Sequence, residues 1–392
     1  MLGCVTTTKQ PPARGNSYEL YDRLAEQMST HMGEAVKNVK QLTNLIWLVG
    51  AVLQGHRIAL SQLATFLPGD AAAESRVTRL RRWLMNPHLD PWALYQPLLA
   101  HVLAGWHAAC LSVIVDGTMV FGDRLQVVRL SLVHANRAIP LWWIVVPGTG
   151  LVKAERLQVL FQQVADFLRP YARQVRCLAD RGFRDHDWAE LCLSVGWQYR
   201  IRITRNTHVH LRTGRTMRLD GFHLKRGHTL CLNAVRLTLC DPFVTNVSMT
   251  WSRGDATHAP ELVIVISDQR AHPDRLQEYA LRMDIEQSFR DDKSGGFDID
   301  HTRLQHPERL ERLLLAVAIA TLWCHELGEF VLQAGEAVRR SIDPGRTREL
   351  CLFQLGLRWL ERCLAVRLEA LPIFHARLTN LNLPPLAAPA RH

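Results

Sequence analysis

The 392-residue chain contains no apolar run that approaches the roughly 18 residues needed to span a membrane. The longest candidate, Leu313–Trp323, lies within a charged helical pattern. Cys4 stands near the start, but no basic segment or apolar segment precedes it, which argues against a signal peptide or a lipoprotein signal. We therefore expect a soluble, cytoplasmic protein without a membrane partner.

The chain also has no Cys-x-x-Cys pair. Its nine cysteines, an odd number, are scattered singly, which is typical of reduced and mostly buried thiols in a cytosol. His208 and His210 form the tightest histidine pair, but they alternate on a strand-like segment with no other ligand nearby. This pattern favours surface residues and argues against a structural zinc site.

Positive charge exceeds negative charge. Forty-seven Lys and Arg against 37 Asp and Glu give a net charge of +10 and a pI near 9.4. Such an excess favours a polyanionic partner, nucleic acid before membrane, because binding to phosphates releases their counterions. The length and the 47% hydrophobic fraction indicate a folded protein of two or three domains.

The first part of the chain consists of a short polar segment followed by a longer segment with a helical pattern. Residues 1–16 are rich in Pro, Gly and Thr and are typical of a disordered lead-in. Residues 17–107 show helical periodicity interrupted by Gly, Pro and Asn, which predicts an all-helical domain that binds DNA. Arg76, Arg79 and Arg82, spaced by three, would face a phosphate backbone, within a possible helix-turn-helix. Which helix would enter a groove stays open.

From residue 108 the period becomes that of strands. The order β-β-β-α-β-α-β predicts a ribonuclease H-like α/β domain, a mixed sheet with helices on both faces, over residues 108–330. Alternating segments at about residues 204–268 predict a mainly β insertion, large enough to be a subdomain. Residues 331–392 form a C-terminal helical region, so helices flank the catalytic domain on both sides.

Two acids stand where apolar strands end. Asp116 ends "SVIVDGT" and Asp180 ends "VRCLADRGF". A single acid after a strand is more often a turn former. In the ribonuclease H topology, however, the first and fourth strands are neighbours, so these carboxylates would meet at the edge where ligands bind. A divalent cation would relieve their repulsion.

A row of polar side chains marks the stretch "EYALRMDIEQSFRDDKSGG", residues 278–296. Tyr279, Arg282, Glu286 and Lys293 follow at steps of 3, 4 and 7 residues, which places them in a narrow arc of one helix face. A solvated face stabilised by charge pairs is the commoner fate of such a pattern. The alternative is a metal-binding carboxylate, Glu286, between side chains that grip phosphates.

Three carboxylates can hold two Mg²⁺ ions about 4 Å apart, one activating the attacking water or hydroxyl and the other stabilising the leaving oxygen. Mn²⁺ fits the same oxygen ligands. Asp284, two residues before Glu286, would lie about 200° away around the helix. Only the spacing favours Glu286 over the other acids nearby, which are Asp284, Asp291, Asp292, Asp298 and Asp300.

The spacing Y-(2)-R-(3)-E-(6)-K resembles the signature of DDE-type bacterial insertion-sequence transposases of the "insertion sequence four" family. Asp116 in "VDGT" and Asp180 in "ADRGF" look like the first two acids of that family, in order and in context. The β insertion that the family has would fall within the 286 − 180 = 106 residues between Asp180 and Glu286. The resemblance covers roughly residues 105–330.

The resemblance implies a cut-and-paste transposase that nicks the element ends, releases the element through a hairpin and joins its 3′-OH to target DNA. It implies that Asp116, Asp180 and Glu286 bind the metal ions, here Mg²⁺ or Mn²⁺. It also implies that Tyr279, Arg282 and Lys293 hold the DNA strand near the cut.

The same resemblance implies one further DNA contact and a dimer, and the position of Arg181 suggests another contact. The family stacks a tryptophan of the β insertion on a flipped base, and Trp251 in "MTWSRGD" is the candidate, with a core or hairpin tryptophan as the alternative. Arg181 beside Asp180 is a candidate DNA contact; alternatively Arg181 and Arg184 pair with nearby acids. Such enzymes act as homodimers on double-stranded transposon ends and target DNA, and the C-terminal helices are candidates for that contact.

Two other functions remain open. One is another ribonuclease H-like nuclease or resolvase, which would share the three acids without joining DNA. The other is a catalytically inactive, DNA-binding regulator. The presence of all three acids and of the whole basic row argues against a decayed copy.

Overall fold

The computed structural model describes residues 16–36, 38–150, 152–238, 242–254, 259–293, 295–366 and 374–379. The lead-in predicted at residues 1–16 therefore lies outside the described residues, except for Asn16, which begins the first helix.

Five helices form the N-terminal region: α1 (Asn16–Met32), α2 (Val39–Gly55), α3 (Leu60–Leu63), α4 (Ala73–Leu84) and α5 (Pro91–Val102). Side-chain caps set two of their starts. Asn38 accepts a hydrogen bond from the Lys40 amide at the start of α2, and Asp90 accepts from the Trp92 amide at the start of α5. These caps satisfy backbone donors that a helix start leaves free.

A mixed sheet of ten strands follows among the described residues. Its strands are β1 (Ala108–Val120), β2 (Leu125–His134), β3 (Arg137–Pro147), β4 (Ala172–Ala179), β5 (Gln198–Arg202), β6 (His208–His210), β7 (Thr216–Arg218), β8 (Thr229–Thr238), β9 (Pro242–Trp251) and β10 (Leu262–Ser267). The spatial order is β3-β2-β1-β4-β5-β10-β9-β8-β6-β7. Strands β1, β4 and β5 are parallel, β2 runs antiparallel beside β1, and β3 runs antiparallel beside β2. This large mixed sheet, with β1 beside β4, fits the predicted ribonuclease H-like fold.

The β insertion is continuous with that sheet. Strand β10 pairs antiparallel with β5, and β9, β8, β6 and β7 extend the sheet outward from there. The expectation of a separate subdomain therefore gives way to a single sheet, because β10 occupies the open edge of β5.

Helices cover both faces of the sheet. They are α6 (Gln158–Leu168), α7 (His186–Ser194), α8 (Pro273–Ala280) and α9 (Met283–Asp292). Alternation along β1 separates the two faces, since Val113 and Val115 join the main core whereas Ile114 packs with Ile285 and Phe289 of α9.

The polar row of residues 278–296 is not one helix. Helix α8 ends at Ala280 and α9 begins at Met283, with a tight turn between them in which the Arg282 amide bonds the Tyr279 carbonyl and the Ile285 amide bonds the Arg282 carbonyl. The predicted single helix is thus interrupted at Leu281 and Arg282, where hydrogen bonds between residues three apart replace the α-helical pattern; Arg282 is buried.

Helices α10 (Pro307–Gln333), α11 (Glu336–Arg340) and α12 (Leu352–Val366) complete the fold. By length and composition α10 could cross a membrane, but 94% of its apolar window is buried within the fold. Gly356 of α12 lies so close to α10 that a Cβ atom there would be 1.8 Å from the Cys324 carbonyl oxygen. Helix α10 is thus a core helix, packed against α12, β3 and α2.

Candidate active site

Asp116 and Asp180 lie side by side at one edge of the sheet. The parallel register pairs Val115 of β1 with Ala179 of β4, and the residue after each of them is an acid. The prediction that Asp116 ends its strand was wrong, because β1 continues to Val120 and Asp116 pairs with Arg129 of β2. Strand β4 ends at this point because Asp180 accepts a hydrogen bond from the Gly182 amide at 2.7 Å and caps a short 3-10 turn. The two carboxylates meet as the topology predicts.

Arg282 links Asp116 to Glu286. Its Nη1 donates to Asp116 Oδ2 at 2.8 Å, and its Nη2 donates to Glu286 Oε1. Asp116 Oδ1 also accepts from the Gly117 amide at 2.7 Å. Glu286 stands in the first turn of α9 with 43% of its side chain exposed, whereas the Arg282 and Asp116 side chains are buried.

The electrostatics show that the three acids influence one another. Burial raises the pKa of Asp116 to about 6, Arg282 opposes the rise, and Asp180 and Glu286 add to it. Burial by itself lowers the pKa of Arg282, but Tyr279 and the three carboxylates outweigh it and raise that pKa above its ordinary value. Negative charge therefore converges at this edge beyond what one arginine neutralises.

This donor set fits a divalent cation. Three carboxylates supply hard oxygen ligands, and the conflict between like charges at Asp116 is the kind that such a cation relieves. Asp116, Asp180 and Glu286 would hold it. In the described arrangement Arg282 lies between two of these acids and supplies a positive charge there.

A second acidic group lies elsewhere. Among the described residues, the ligand atoms of His186, Asp187 and Glu190 on α7 lie within 4.8 Å of one another. Asp187 and Glu190 are exposed, and His186 pairs with Asp187 at 3.2 Å. Nothing further in the structure points to a ligand there.

Tyr279 joins the site from the end of α8. The side chain is buried, and its hydroxyl makes no well-formed hydrogen bond among the described residues. Burial raises the pKa of Tyr279, while the neighbouring Arg282 and Arg202 lower it. The phenol therefore lies beside Arg282, close enough for the two side chains to interact.

Lys293 lies farther along the same edge. It follows α9 directly, its Nζ donates to the Met119 carbonyl of β1 at 2.7 Å, and it pairs with Asp300 at 3.4 Å. Met119 is three residues beyond Asp116. Lys293 thus contacts the strand that carries the first acid.

The acids that competed with Glu286 have other partners. Asp291 pairs with Arg137 and Asp292 with Arg129, both in buried contacts. Burial raises the pKa of Asp284 to about 6, and the charge that opposes this rise is Arg137. Of the remaining two acids, Asp298 contacts Arg57 and His301, and Asp300 contacts Lys293.

Buried ion pairs fix the helices that carry the site. Arg200 of β5 is fully buried and donates its Nε to Glu278 of α8, which also pairs with Arg176 of β4 at 3.0 Å. These contacts anchor α8 over the sheet. In the same way, the pairs Arg129–Asp292 and Arg137–Asp291 described above anchor α9 to β2 and β3.

Arg202 is a site residue that the sequence analysis missed. Ala179 pairs with Ile201 in the register, so Arg202 stands beside Asp180 at the same edge. It pairs with Glu261 at 2.7 Å and lowers the pKa of Tyr279. The available signal was the alternation in "YRIRIT", which places Arg200 and Arg202 on one strand face.

Arg181 is exposed directly after Asp180. Among the described residues it makes no ion pair with Asp185 or Asp187, and Arg184 donates instead to the Arg181 carbonyl at 3.2 Å. The alternative of local ion pairs therefore does not hold for Arg181, whose side chain lies at the edge beside the acids.

Trp251 ends β9 on the same side of the sheet. Trp251 pairs with Leu262 of β10, and Val265, three residues further along β10, pairs with Arg202 of β5. Arg202 marks the edge that carries Asp180, so Trp251 projects about three residues beyond this edge. Its Nε1 donates to the Leu224 carbonyl at 2.6 Å, and the Arg226 guanidinium lies 5.9 Å from its ring centre. The half-buried indole is thus anchored in the insertion.

Comparison with known proteins agrees with this geometry. Residues 159–323 match the family model of the transposase DDE domain, a region that contains Asp180 and Glu286 but starts after Asp116. The match supports a DDE-type transposase, an enzyme class that acts on DNA with divalent metal ions. No curated protein matches the chain.

A similar solved structure is that of Argonaute from Marinitoga piezophila in complex with a 5′ OH guide RNA. The sequences are 9% identical, the TM-score is 0.25, and the similarity covers 57% of this chain and 35% of that one. The chain thus spans about a third of that protein, and the ribonuclease H-like assignment depends on the strand order alone.

Proposed function

We propose that the chain is the transposase of an insertion sequence, which cuts the ends of its element and joins the 3′-OH to target DNA. The observation that carries this proposal is the meeting of three acids: Asp116 within β1 lies beside Asp180 at the end of the adjacent parallel strand β4, and Glu286 reaches the same edge through Arg282. The match to the transposase DDE domain supports it.

Divalent cations, Mg²⁺ or Mn²⁺, held by Asp116, Asp180 and Glu286 would activate the attacking oxygen and stabilise the leaving oxygen. Arg282 neutralises two of these acids in the described arrangement, and we infer that its guanidinium turns to a DNA phosphate when the site is loaded. Tyr279 places its hydroxyl beside Arg282 for the same strand. Lys293 and the exposed Arg181 extend this contact along the edge.

Cut-and-paste release through a hairpin gives Trp251 a role. A strand that folds back at the cut exposes an unpaired base, and an indole projecting beyond the catalytic edge can stack on it. The anchoring hydrogen bond to Leu224 fixes the ring for this purpose. A homodimer that brings two double-stranded ends together would place one active site at each end.

The test is cleavage of a duplex that carries the element end, with and without Mg²⁺. Glu286→Gln should abolish cleavage while DNA binding persists. Asp284→Asn is the matched control, because Asp284 is two residues away on α9 and interacts with Arg137 instead. We expect this control to cut normally.

A supercoiled donor with paired ends then distinguishes the alternatives. Hairpin and joined products are expected for a transposase. Nicks alone would indicate another ribonuclease H-like nuclease, and binding without cleavage by the wild type would indicate an inactive regulator.

A further inference from the structure

A basic cleft of about 650 Å³ separates the N-terminal helices from the segment that follows α9. Arg57 and Arg81 line it from the N-terminal side. His301, Arg303 and Arg309 line it from the other side. Two parts of the chain that are more than 200 residues apart thus contribute cations to one concave surface.

The positive charge in this cleft is largely uncompensated. No Asp or Glu is among the residues that line it. Arg81, Arg303 and Arg309 form no ion pair among the described residues, and Arg57 makes only a 3.5 Å contact with Asp298, with 60% of its side chain exposed. Cations gathered without acids attract an anion, and guanidinium groups match phosphate geometry.

Both walls of the cleft are held in place. Arg312 of α10 donates to the Leu84 carbonyl at the end of α4 at 2.8 Å and to the Leu89 carbonyl at 3.4 Å. On the opposite wall, Thr302 and Leu304 are buried beside exposed Arg303. The cleft is therefore set by packing before any ligand arrives.

The cleft adjoins the catalytic edge. Lys293, which contacts β1 beyond Asp116, pairs with Asp300, and the next residue, His301, already lines the cleft. A polyanion that lies along the edge at Lys293 would meet the cleft next. Repeated phosphates along a strand fit this continuity better than a single small anion does.

We propose that this cleft binds the backbone phosphates of duplex DNA and forms a second contact for the DNA held at the catalytic edge. The identity of that DNA as an element end rests on the proposed function; the phosphate contact does not. The cleft differs from the basic face predicted on α4, since Arg79 stacks on Trp47 at 4.9 Å and, with Arg82, lines a separate groove.

The test uses the full chain without metal and a short DNA duplex of arbitrary sequence. The dissociation constant is measured at several salt concentrations for Arg81→Gln, Arg303→Gln and Arg309→Gln. Each change should weaken binding. It should also make the negative slope of log binding constant against log salt concentration shallower by about one, because one phosphate contact is lost. Arg169→Gln is the control of equal charge, since Arg169 is 76% exposed and lies beyond the end of α6.

The proposal would be overturned if the salt slopes of the three cleft variants equal that of the wild type. It would also be overturned if Arg169→Gln changes the slope as much as the cleft variants do. Thermal unfolding checks that the variants are folded. Calorimetry with inorganic phosphate is the second arm: saturable phosphate binding lost in the variants, with DNA slopes unchanged, would assign the cleft to a free anion and also overturn it. This binding test involves no cleavage. If the cleft variants show shallower salt slopes but the wild type never cuts DNA, only the transposase proposal is refuted.

Discussion

Arg282 donates a hydrogen bond to Asp116 across 166 residues of chain, and its other Nη pairs with Glu286 four residues away. One guanidinium therefore holds the acid of β1 and the acid of α9 together. The third acid, Asp180, lies within electrostatic reach of both Asp116 and Arg282. The arginine thereby acts as an internal counterion among carboxylates that would otherwise repel one another.

Arg282→Met should therefore destabilise the metal-free protein by about 3 kcal/mol, because it leaves the buried Asp116 carboxylate without its partner. Added Mg²⁺ should raise the unfolding midpoint more in the variant than in the wild type. Thermal unfolding in chelator and in Mg²⁺ measures both effects. Arg340→Met removes an exposed pair with Glu336 and should change stability by less than about 0.5 kcal/mol. Equal midpoints for wild type and Arg282→Met in chelator would refute the counterion role.

The anchoring of α9 is tested by Asp292→Ala, which leaves Arg129 buried and unpaired. We expect a loss of about 3 to 5 kcal/mol of unfolding free energy in urea denaturation. Asp300→Ala breaks the partly exposed contact with Lys293 and should cost less than about 1 kcal/mol. A small loss for Asp292→Ala would mean that apolar packing of Ile285 and Phe289 suffices to hold the helix.

Removal of the Tyr279 hydroxyl should affect DNA cleavage but not the stability of the fold. Because it makes no well-formed hydrogen bond among the described residues, Tyr279→Phe should leave the unfolding free energy within about 0.5 kcal/mol of the wild type. If the hydroxyl grips a DNA strand, cleavage should nevertheless fall by about tenfold, the value of one lost hydrogen bond. Single-turnover cleavage at saturating protein measures this, and an unchanged rate would remove Tyr279 from the site.

Sequence patterns were strongest where local chemistry dictates structure. The apolar runs before Asp116 and Asp180 specify strands, a Gly-containing turn ends β4 after Ala179, and the order of strands and helices then makes the two strands neighbours. The spacing of Arg282 and Glu286 brought them together at i and i+4 even though the chain turns between α8 and α9.

The sequence could not reveal contacts between distant segments. At the break between α8 and α9, buried Arg282 reaches Asp116, while Leu281 and Met283 on either side stay 39% and 51% exposed. Arg202 was missed for the same reason: its place beside Asp180 depends on the pairing of β4 with β5. Local periodicity gives the strand face of Arg202 but neither of these contacts between distant segments.

Glu326 of α10 predicts a pH effect on stability. It accepts a hydrogen bond from the His375 amide at 2.6 Å. Burial raises its pKa to about 8, although the hydrogen bonds from this amide and from neighbouring amides act to lower the pKa. The folded state holds this proton while the unfolded chain releases it near its ordinary value of 4.5. The stabilisation is thus complete below about pH 4.5 and is lost as the pH rises towards 8.

Glu326→Gln should therefore gain about 3 kcal/mol relative to the wild type between pH 5 and pH 8 in chemical denaturation. Glu308→Gln, an exposed change on the same helix, serves as the control and should show no such trend. A difference between Glu326→Gln and wild type that stays constant with pH would show that Glu326 is already ionised in the folded protein.

Trp251 offers the sharpest choice between a structural and a functional role, since one ring both anchors the insertion and projects beyond the catalytic edge. Trp251→Phe and Trp251→Ala both remove the Nε1 hydrogen bond to Leu224 and should each lose at least about 1 kcal/mol of stability. Only phenylalanine keeps an aromatic face for a flipped base, so Trp251→Phe should retain most hairpin formation while Trp251→Ala loses about tenfold or more. Gel analysis of nicked, hairpin and joined products measures each step. If the two variants lose hairpin product equally while nicking persists, the tryptophan is only an anchor of the insertion, and another residue must hold the base.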